Sequence, residues 1–322
     1  MNKALALYTK IVAFSVFVLI YIGSLVTTTG SGLSVPDWPL SYGMVFPPMV
    51  GGVLFEHGHR LAASFVGVLV VIQAIWIHMA DPRRWARRLG YAAVLVVILQ
   101  GVLGGVTVLL QLPVLVSAAH AVLAQTFFVL CVGIAYSQSQ EMTTSLGLLS
   151  AEDRPRFGRF YGALWVLVSL IYIQLIAGAV MRHMGAGLAI VDFPGNAGQW
   201  LPGVTPLFLE KVNLFRGLYQ MAPVSMAQLH IHLLHRYLGY GVVLVIGVVW
   251  VFYRPAYLAF SKLRITMAML LGLVVLQIGL AALTVWSQKD VVFTGLHVVN
   301  GAAILALSCL QLFRAYRLLR SR

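Results

Sequence analysis

Eight long runs of apolar residues constrain the fold of this chain more than any other feature of its sequence. Each run is close to the ~20 residues that an α-helix needs to cross the hydrocarbon core of a bilayer. The runs cover residues 11–28, 61–79, 90–110, 116–135, 160–181, 237–253, 265–285 and 294–313. Strands of a membrane β-barrel would be ~10 residues long and would alternate between apolar and polar residues. The runs are longer than such strands and do not alternate, so the sequence predicts an all-α, polytopic membrane protein with eight spanning helices.

The composition excludes an ordinary soluble domain. Charged residues make up 10% of the 322-residue chain and hydrophobic residues 60%, whereas a soluble domain carries roughly 25% charged residues. A formal net charge of +13 would also suit a nucleic-acid-binding protein. The basic residues, however, lie in short segments between the apolar runs, as they do in the cytoplasmic loops of membrane proteins. We therefore expect the chain to lie in a lipid bilayer and to bind no nucleic acid.

The positions of lysine and arginine predict the orientation of the chain. Basic residues precede the first span, fill the connections between spans 2 and 3, 4 and 5, and 6 and 7, and end the chain. Cytoplasmic loops carry this excess, so we expect both termini on the cytoplasmic side of the cell inner (plasma) membrane. The first span is longer than the ~7–15-residue apolar core of a signal peptide, so we expect it to stay in the membrane.

The two halves of the sequence resemble each other. Residues 30–39 match residues 185–194 at an offset of 155, and residues 100–108 match residues 277–285 at an offset of 177. Each repeat holds four spans, an even number, so both halves have the same topology about a pseudo-twofold axis along the membrane normal. We predict two tandem four-helix bundles, 1–140 and 160–322, joined by a cytoplasmic linker, 141–159. The change of offset predicts about 21 extra residues in the second outer loop.

The outer loops of the two repeats carry the same Gly-x-Gly-Leu pattern, followed by prolines. Glycine and proline restrict the backbone path, so we expect both loops to fold back over the outer ends of the bundles as lids. Trp38 in the first loop would equally suit an aromatic belt at the membrane interface.

Four histidines lie at similar depth, near the outer ends of the even-numbered spans. They are His59, His120, His235 and His297, and the repeat aligns the first with the third and the second with the fourth. A lone histidine at a helix end is usually an interfacial residue, but a duplicated pair is less easily explained in that way. Neutral imidazole is a good ligand for heme iron, and helix bundles hold such cofactors between facing helices. The sequence therefore predicts one bis-histidine heme site in each half.

An arginine directly follows the first histidine of each pair. Arg60 and Arg236 are candidates for binding heme propionates, because a guanidinium group binds a carboxylate through two parallel hydrogen bonds. The alternative is that both side chains extend to the water boundary.

Glu56 is the most informative departure from the repeat, because its counterpart is His232. It lies three residues before His59 and would share its face if the helix extends that far. A carboxylate beside a cofactor can move protons or stabilise positive charge. This asymmetry predicts that the first half holds the reacting site and that the second half holds a permanent heme for electron transfer. The alternative is that Glu56 only pairs with Arg60 or faces water.

Taken together, these residues resemble the heme A synthase family. The motifs that carry the resemblance are Glu56-x-x-His59-Arg60, the loop segment 30–39, His120, His235-Arg236 and His297. The resemblance implies that the C8 methyl group of heme O is oxidised to a formyl group by successive hydroxylations and loss of water from a geminal diol.

The resemblance also implies a role for each site residue. Glu56 would act in catalysis, and His59, His120 and Arg60 would bind the substrate heme O. A resident heme b would be held by His235, His297 and Arg236. The partners implied are heme O synthase and the factors that assemble a terminal oxidase.

The residues themselves leave other functions open. A two-heme transmembrane b-type cytochrome that reacts with quinone would carry the same four histidines, and a carrier of heme or another small molecule would suit the tandem repeat. The only cysteines, Cys131 and Cys309, lie within predicted spans, whereas some members of the family carry a cysteine pair in an outer loop. The electron donor therefore stays open, with a quinol and another cytochrome as candidates. Also open are the oligomeric state, a homo-oligomer included, the oxidase supplied, and the roles of His57, His230 and His232.

Overall fold

The computed structural model describes residues 2–142 and 149–321. Over these ranges it forms ten α-helices: α1 (Lys3–Thr28), α2 (Gly52–Ala80), α3 (Arg84–Leu109), α4 (Val114–Ser137), α5 (Arg154–His183), α6 (Pro206–Leu218), α7 (Met226–Phe252), α8 (Arg254–Leu258), α9 (Ser261–Trp286) and α10 (Val291–Arg320). Short 3-10 helices cover Gln140–Met142 and Ala186–Leu188. All of the α-helices except α6 and α8 are long and apolar enough to cross a membrane. The prediction of an all-α, multi-pass membrane protein with eight spanning helices is confirmed.

Apolar side chains face outward along the spanning helices. Phe14, Leu95 and Val275 are each about three-fifths exposed (65%, 59% and 63%). A continuous apolar surface of this kind would be unfavourable in water, whereas lipid tails cover it at no cost. The exposed surface therefore fits the bilayer surroundings expected from the composition.

Several helices begin well before the apolar runs that predicted them. α2 begins at Gly52 rather than at residue 61, and α7 begins at Met226 rather than at residue 237. At α7 the Ser225 hydroxyl accepts the backbone N–H of Gln228, whose side chain accepts the N–H of Ser225 in return. This capping box satisfies backbone donors that would otherwise be unpaired, so a polar first turn stays helical. As a result, the polar residues of the candidate site lie on regular helix.

The spanning helices pack as two closed rings of four. In the first ring α1, α2, α3 and α4 each contact the next, and α4 contacts α1. In the second ring α5 packs against α7, α7 against α9, α9 against α10, and α10 against α5. Between the rings, α10 packs against α1 and α4, and α4 packs against α5. The pseudo-twofold axis and the boundaries 1–140, 141–159 and 160–322 stay predictions, and residues 143–148 of the linker lie outside the described residues.

The two outer loops have matching backbone contacts. The carboxylate of Asp37 accepts the N–H groups of Tyr42 and Gly43 at 2.7 and 2.9 Å, and these two bonds are the main reason that the pKa of Asp37 is lowered from its ordinary value. The equivalent contacts in the second loop run from the N–H groups of Ala197 and Gly198 to Asp192, at 2.8 and 3.2 Å. Each contact lies 155 residues from its counterpart, so the sequence repeat is also a repeat of loop structure.

The extra residues of the second outer loop include a helix that the apolar runs did not predict. Thr205 caps α6, because its hydroxyl accepts the N–H of Phe208 at 3.1 Å. Phe208 and Val212 are buried in a small apolar cluster with Leu229 of α7. α6 is 13 residues long, too short for a span and stabilised by packing on one face, so hydropathy alone does not reveal it.

Trp38 of the first outer loop lies against Gly105 of α3, as expected for a loop that folds over the bundle. A Cβ atom at Gly105 would stand 2.5 Å from the Trp38 ring, so Gly105→Ala should displace the tryptophan and destabilise the protein by about 1–3 kcal/mol. We expect a lower unfolding temperature in detergent and faster proteolysis of the first outer loop. Gly101→Ala on the same helix is the control, because its Cβ would meet nothing within 4 Å. Equal behaviour of the two variants would contradict this packing argument.

Candidate heme sites

The four predicted ligands lie on helices that are diagonal to each other in each ring. α2 and α4 both pack between α1 and α3, and α7 and α10 both pack between α5 and α9. His59 and His120 lie close enough for their charges to interact, and so do His235 and His297. The structure therefore brings together the two histidine pairs that the repeat predicted. Ligation of iron by these pairs stays a prediction.

Three of the four imidazole rings lie against a glycine of the neighbouring helix. A Cβ atom at Gly23, Gly104 or Gly178 would stand 2.9, 3.0 and 2.8 Å from Cε1 of His59, His120 and His235, respectively. Gly23 and Gly178 are equivalent in the repeat, and the counterpart of Gly104 is the equally small Ala281. Because small residues let helices approach closely in a membrane, these positions allow each ring to sit directly against a backbone.

The imidazole nitrogens lack the partners that a purely structural histidine would have. All four Nδ1 atoms are buried without a hydrogen-bond partner, although buried polar atoms are nearly always paired. Three Nε2 atoms have a glutamine amide nearby. Gln100 lies 3.4 Å from His120, Gln277 lies 3.3 Å from His297, and Gln174 lies 3.5 Å from His235. These distances are long for hydrogen bonds, so each ring keeps a nitrogen available for a ligand.

The donor set fits heme better than a bare metal ion. Within the described residues, no three His, Cys, Asp or Glu side chains are grouped to hold a metal ion. A zinc site would need three or four such ligands, whereas two imidazoles on diagonal helices can occupy the two axial positions of a heme iron. The residues present therefore fit a heme group in each ring.

Glu56 is buried, with 4% exposure, and both of its oxygens are occupied. Oε1 accepts Nη2 of Arg60 at 2.6 Å, and Oε2 accepts the backbone N–H of Val35 in the first outer loop at 2.9 Å. The counterpart His232 is also buried and binds its own loop, because its Nδ1 lies 2.8 Å from the carbonyl oxygen of Ala186. This position therefore ties helix to loop in both halves, but only the first half has a carboxylate there.

Both candidate propionate-binding arginines contact the backbone of the outer loops. Arg60 Nη1 donates to the carbonyl oxygens of Asp37 and Leu40 at 2.8 and 2.6 Å. The equivalent bonds in the second half run from Arg236 to Asp192 and Gly195, at 2.7 and 2.5 Å. The sequence could not reveal these bonds, because any residue supplies a carbonyl acceptor. Propionate binding by the two arginines stays a prediction.

The remaining histidines near the site have local partners. His57 Nδ1 lies 2.7 Å from the Ser41 hydroxyl of the first outer loop, and His230 Nδ1 lies 2.8 Å from the carbonyl oxygen of Met226 one turn earlier in α7. Sequence reasoning missed the glutamines beside the imidazoles. The signal was present, since Gln100 and Gln277 open the aligned segments of the repeat.

Comparison with known proteins adds an independent observation to this geometry. A sequence model of the COX15-CtaA family, described as a cytochrome oxidase assembly protein, matches residues 6–53 and 49–309. The chain belongs to this family. One relative is a heme A synthase of Alkalihalophilus pseudofirmus, 31% identical over 212 residues that cover 63% of this chain and 68% of the relative. Another is a heme A synthase of Shouchella clausii, 31% identical over 226 residues that cover 66% and 70%.

The contact between Gly178 and His235 generates a test of the histidine geometry in this family member. Gly178→Val should push the His235 ring out of place, and loss of ligand orientation typically lowers metal affinity by ~10–100-fold. The heme content of the purified protein, measured as the pyridine hemochromogen, should fall. Gly162→Val on the same helix is the control, because a Cβ at Gly162 meets nothing within 4 Å. Heme loss in both variants, or in neither, would contradict the assignment.

Proposed function

We propose that this chain is a heme A synthase, an oxidoreductase of heme A biosynthesis that oxidises the C8 methyl group of heme O to a formyl group. The observation that carries the proposal is the buried carboxylate of Glu56 beside the histidine pair of the first half, where the second half has His232. The relatives named heme A synthase support it over more than half of the chain. Successive hydroxylations of the methyl group and loss of water from the geminal diol amount to a four-electron oxidation, which requires an external oxidant such as dioxygen.

In the first half, the residues bind and orient the substrate. His59 and His120 would hold heme O between α2 and α4, and its iron would supply redox chemistry when bound. Glu56 lies one turn before His59 on the same face of α2. It is held in one orientation by Arg60 and by the N–H of Val35. There it acts at the reacting methyl group, as a proton acceptor or by stabilising positive charge.

In the second half, His235 and His297 would hold a resident heme b, which would supply electron transfer. Gln277, beside His297, is bonded more fully than its counterpart Gln100, beside His120. Asn300 donates to the side-chain oxygen of Gln277 at 2.7 Å, whereas the corresponding oxygen of Gln100 is buried without a partner. A fixed outer shell orients ligands for a permanent cofactor, and a less constrained one suits a substrate that must leave.

We also propose how the protein is oriented in the membrane and which proteins precede and follow it in the pathway. Both termini lie on the cytoplasmic side, so the histidine pairs lie near the outer face of the membrane. Heme O synthase supplies the substrate and terminal oxidase assembly consumes the product. Cys131 and Cys309 are buried in α4 and α10 as free thiols, so electrons reach the protein by a route other than a cysteine pair in an outer loop.

Glu56→Gln tests the catalytic assignment. The protein is produced with a heme O source, and its hemes are extracted with acid and identified by mass. We expect the variant to keep bound heme but to form heme A at a rate lower by about 100-fold or more, the usual effect of losing an acid–base group. Glu141→Gln is the matched control, because Glu141 also pairs with an arginine, Arg314, far from the histidines. Bound heme of one unmodified type in the wild-type protein would instead indicate an electron-transfer cytochrome.

Two histidine variants test the division of labour between the halves. His297→Ala should remove the heme b spectrum, while heme O still binds. His120→Ala should leave heme b in place and abolish retention of heme O and its products. Pigment extraction and visible spectra of both purified variants give the result. Loss of the same heme in both variants would rule out separate substrate and cofactor sites.

A further inference from the structure

Arg182, at the outer end of α5, is a cation that the repeat does not explain. Its counterpart in the first half is Thr27, and that of the adjacent His183 is Thr28. The second half therefore has two basic residues where the first half has two threonines. Within the described residues, no carboxylate forms a salt bridge with Arg182.

Contacts place the Arg182 guanidinium in the seam between the two rings. Nη2 donates to the carbonyl oxygen of Ser24 at 2.5 Å and to the hydroxyl of Thr28 at 2.8 Å, both on α1. Ser24 in turn lies against α10, since a Cβ atom at Gly295 would stand 3.0 Å from its hydroxyl oxygen. Arg182 also lies close enough to His297 of α10 to interact with it electrostatically, so the cation lies beside the second histidine pair.

The guanidinium still has donors to offer. An arginine carries five N–H donors, and Nη2 makes the only hydrogen bonds of Arg182 to the described residues. Arg236 differs, because both of its Nη atoms are bonded to the second outer loop. A cation removed from water without an anionic partner is costly. Nε and Nη1 of Arg182 are therefore placed to bind an anion.

We propose that Arg182 binds a propionate carboxylate of the heme held by His235 and His297. This inference rests on the proposed function in one respect only, namely that the second half binds a heme. Hydrogen bonds from arginine to a carboxylate are charge-assisted and strong, and the N–H groups of Nε and Nη1 are left for such bonds. A positive charge near a heme also favours the reduced iron over the oxidised iron, so Arg182 would raise the midpoint potential of the resident heme.

The test uses the full-length protein loaded either with heme b or with heme b dimethyl ester, whose propionates carry no charge. Arg182→Gln should release heme b to apomyoglobin at least tenfold faster than the wild type and should lower the midpoint potential. With the dimethyl ester, the wild type and the variant should release heme at the same rate. Arg182→Lys should restore part of the retention, and Arg159→Gln, which removes a cation from the opposite end of α5, should change neither quantity.

Unchanged release and potential in Arg182→Gln would overturn the proposal, as would a difference between wild type and variant that persists with the dimethyl ester. If Arg182→Gln does not fold, Thr28→Val is tested instead. This variant removes one hydrogen-bond acceptor of the guanidinium and keeps the charge of Arg182. Faster release of heme b, but not of the ester, is then the supporting result, and unchanged release overturns it. A wild-type protein that holds heme b but forms no heme A would refute the proposed function alone. A protein that binds no heme refutes both.

Discussion

The contact between an imidazole ring and a glycine backbone is the interaction on which the candidate sites depend. His59, His120 and His235 each lie against a glycine of the next helix. Lipid gives helices little hydrophobic reason to associate, so close packing of small residues and hydrogen bonds hold a membrane bundle together. The same small residues therefore bring the helices together and fix where each ring points. Packing and ligand geometry cannot be changed independently in such a bundle.

The two halves show how one backbone can support different tasks. The loops, the glycines and the arginine contacts repeat at fixed offsets, whereas a few side chains differ at equivalent positions. Glu56 corresponds to His232 in the repeat, and Thr27 corresponds to Arg182. Leu19 and Leu123 in the first half correspond to Gln174 and Asn300 in the second. The first half thus has a carboxylate that the second half lacks, and the second half has two further amides and a further cation. This difference parallels the proposed separation of a substrate site from a permanent cofactor site.

The sequence predicted the parts of the fold that depend on side-chain identity. The spans followed from hydropathy, and the histidine pairs followed from the repeat. The early starts of α2 and α7 were missed because an apolar run excludes a polar first turn, and at α7 a capping box keeps that turn helical. α6 was missed because its stability comes from burying Phe208 and Val212 against α7. The loop contacts of Arg60 and Arg236 were missed because backbone carbonyls carry no residue identity.

The hydrogen bond from Val35 to Glu56 makes the orientation of the carboxylate depend on the first outer loop. One carboxylate oxygen is held by the loop backbone, and the arginine that holds the other oxygen is itself bonded to carbonyls of that loop. Displacing this segment would therefore release both oxygens of the carboxylate together. The fixed orientation of Glu56 thus depends on the first outer loop being in place over the helix.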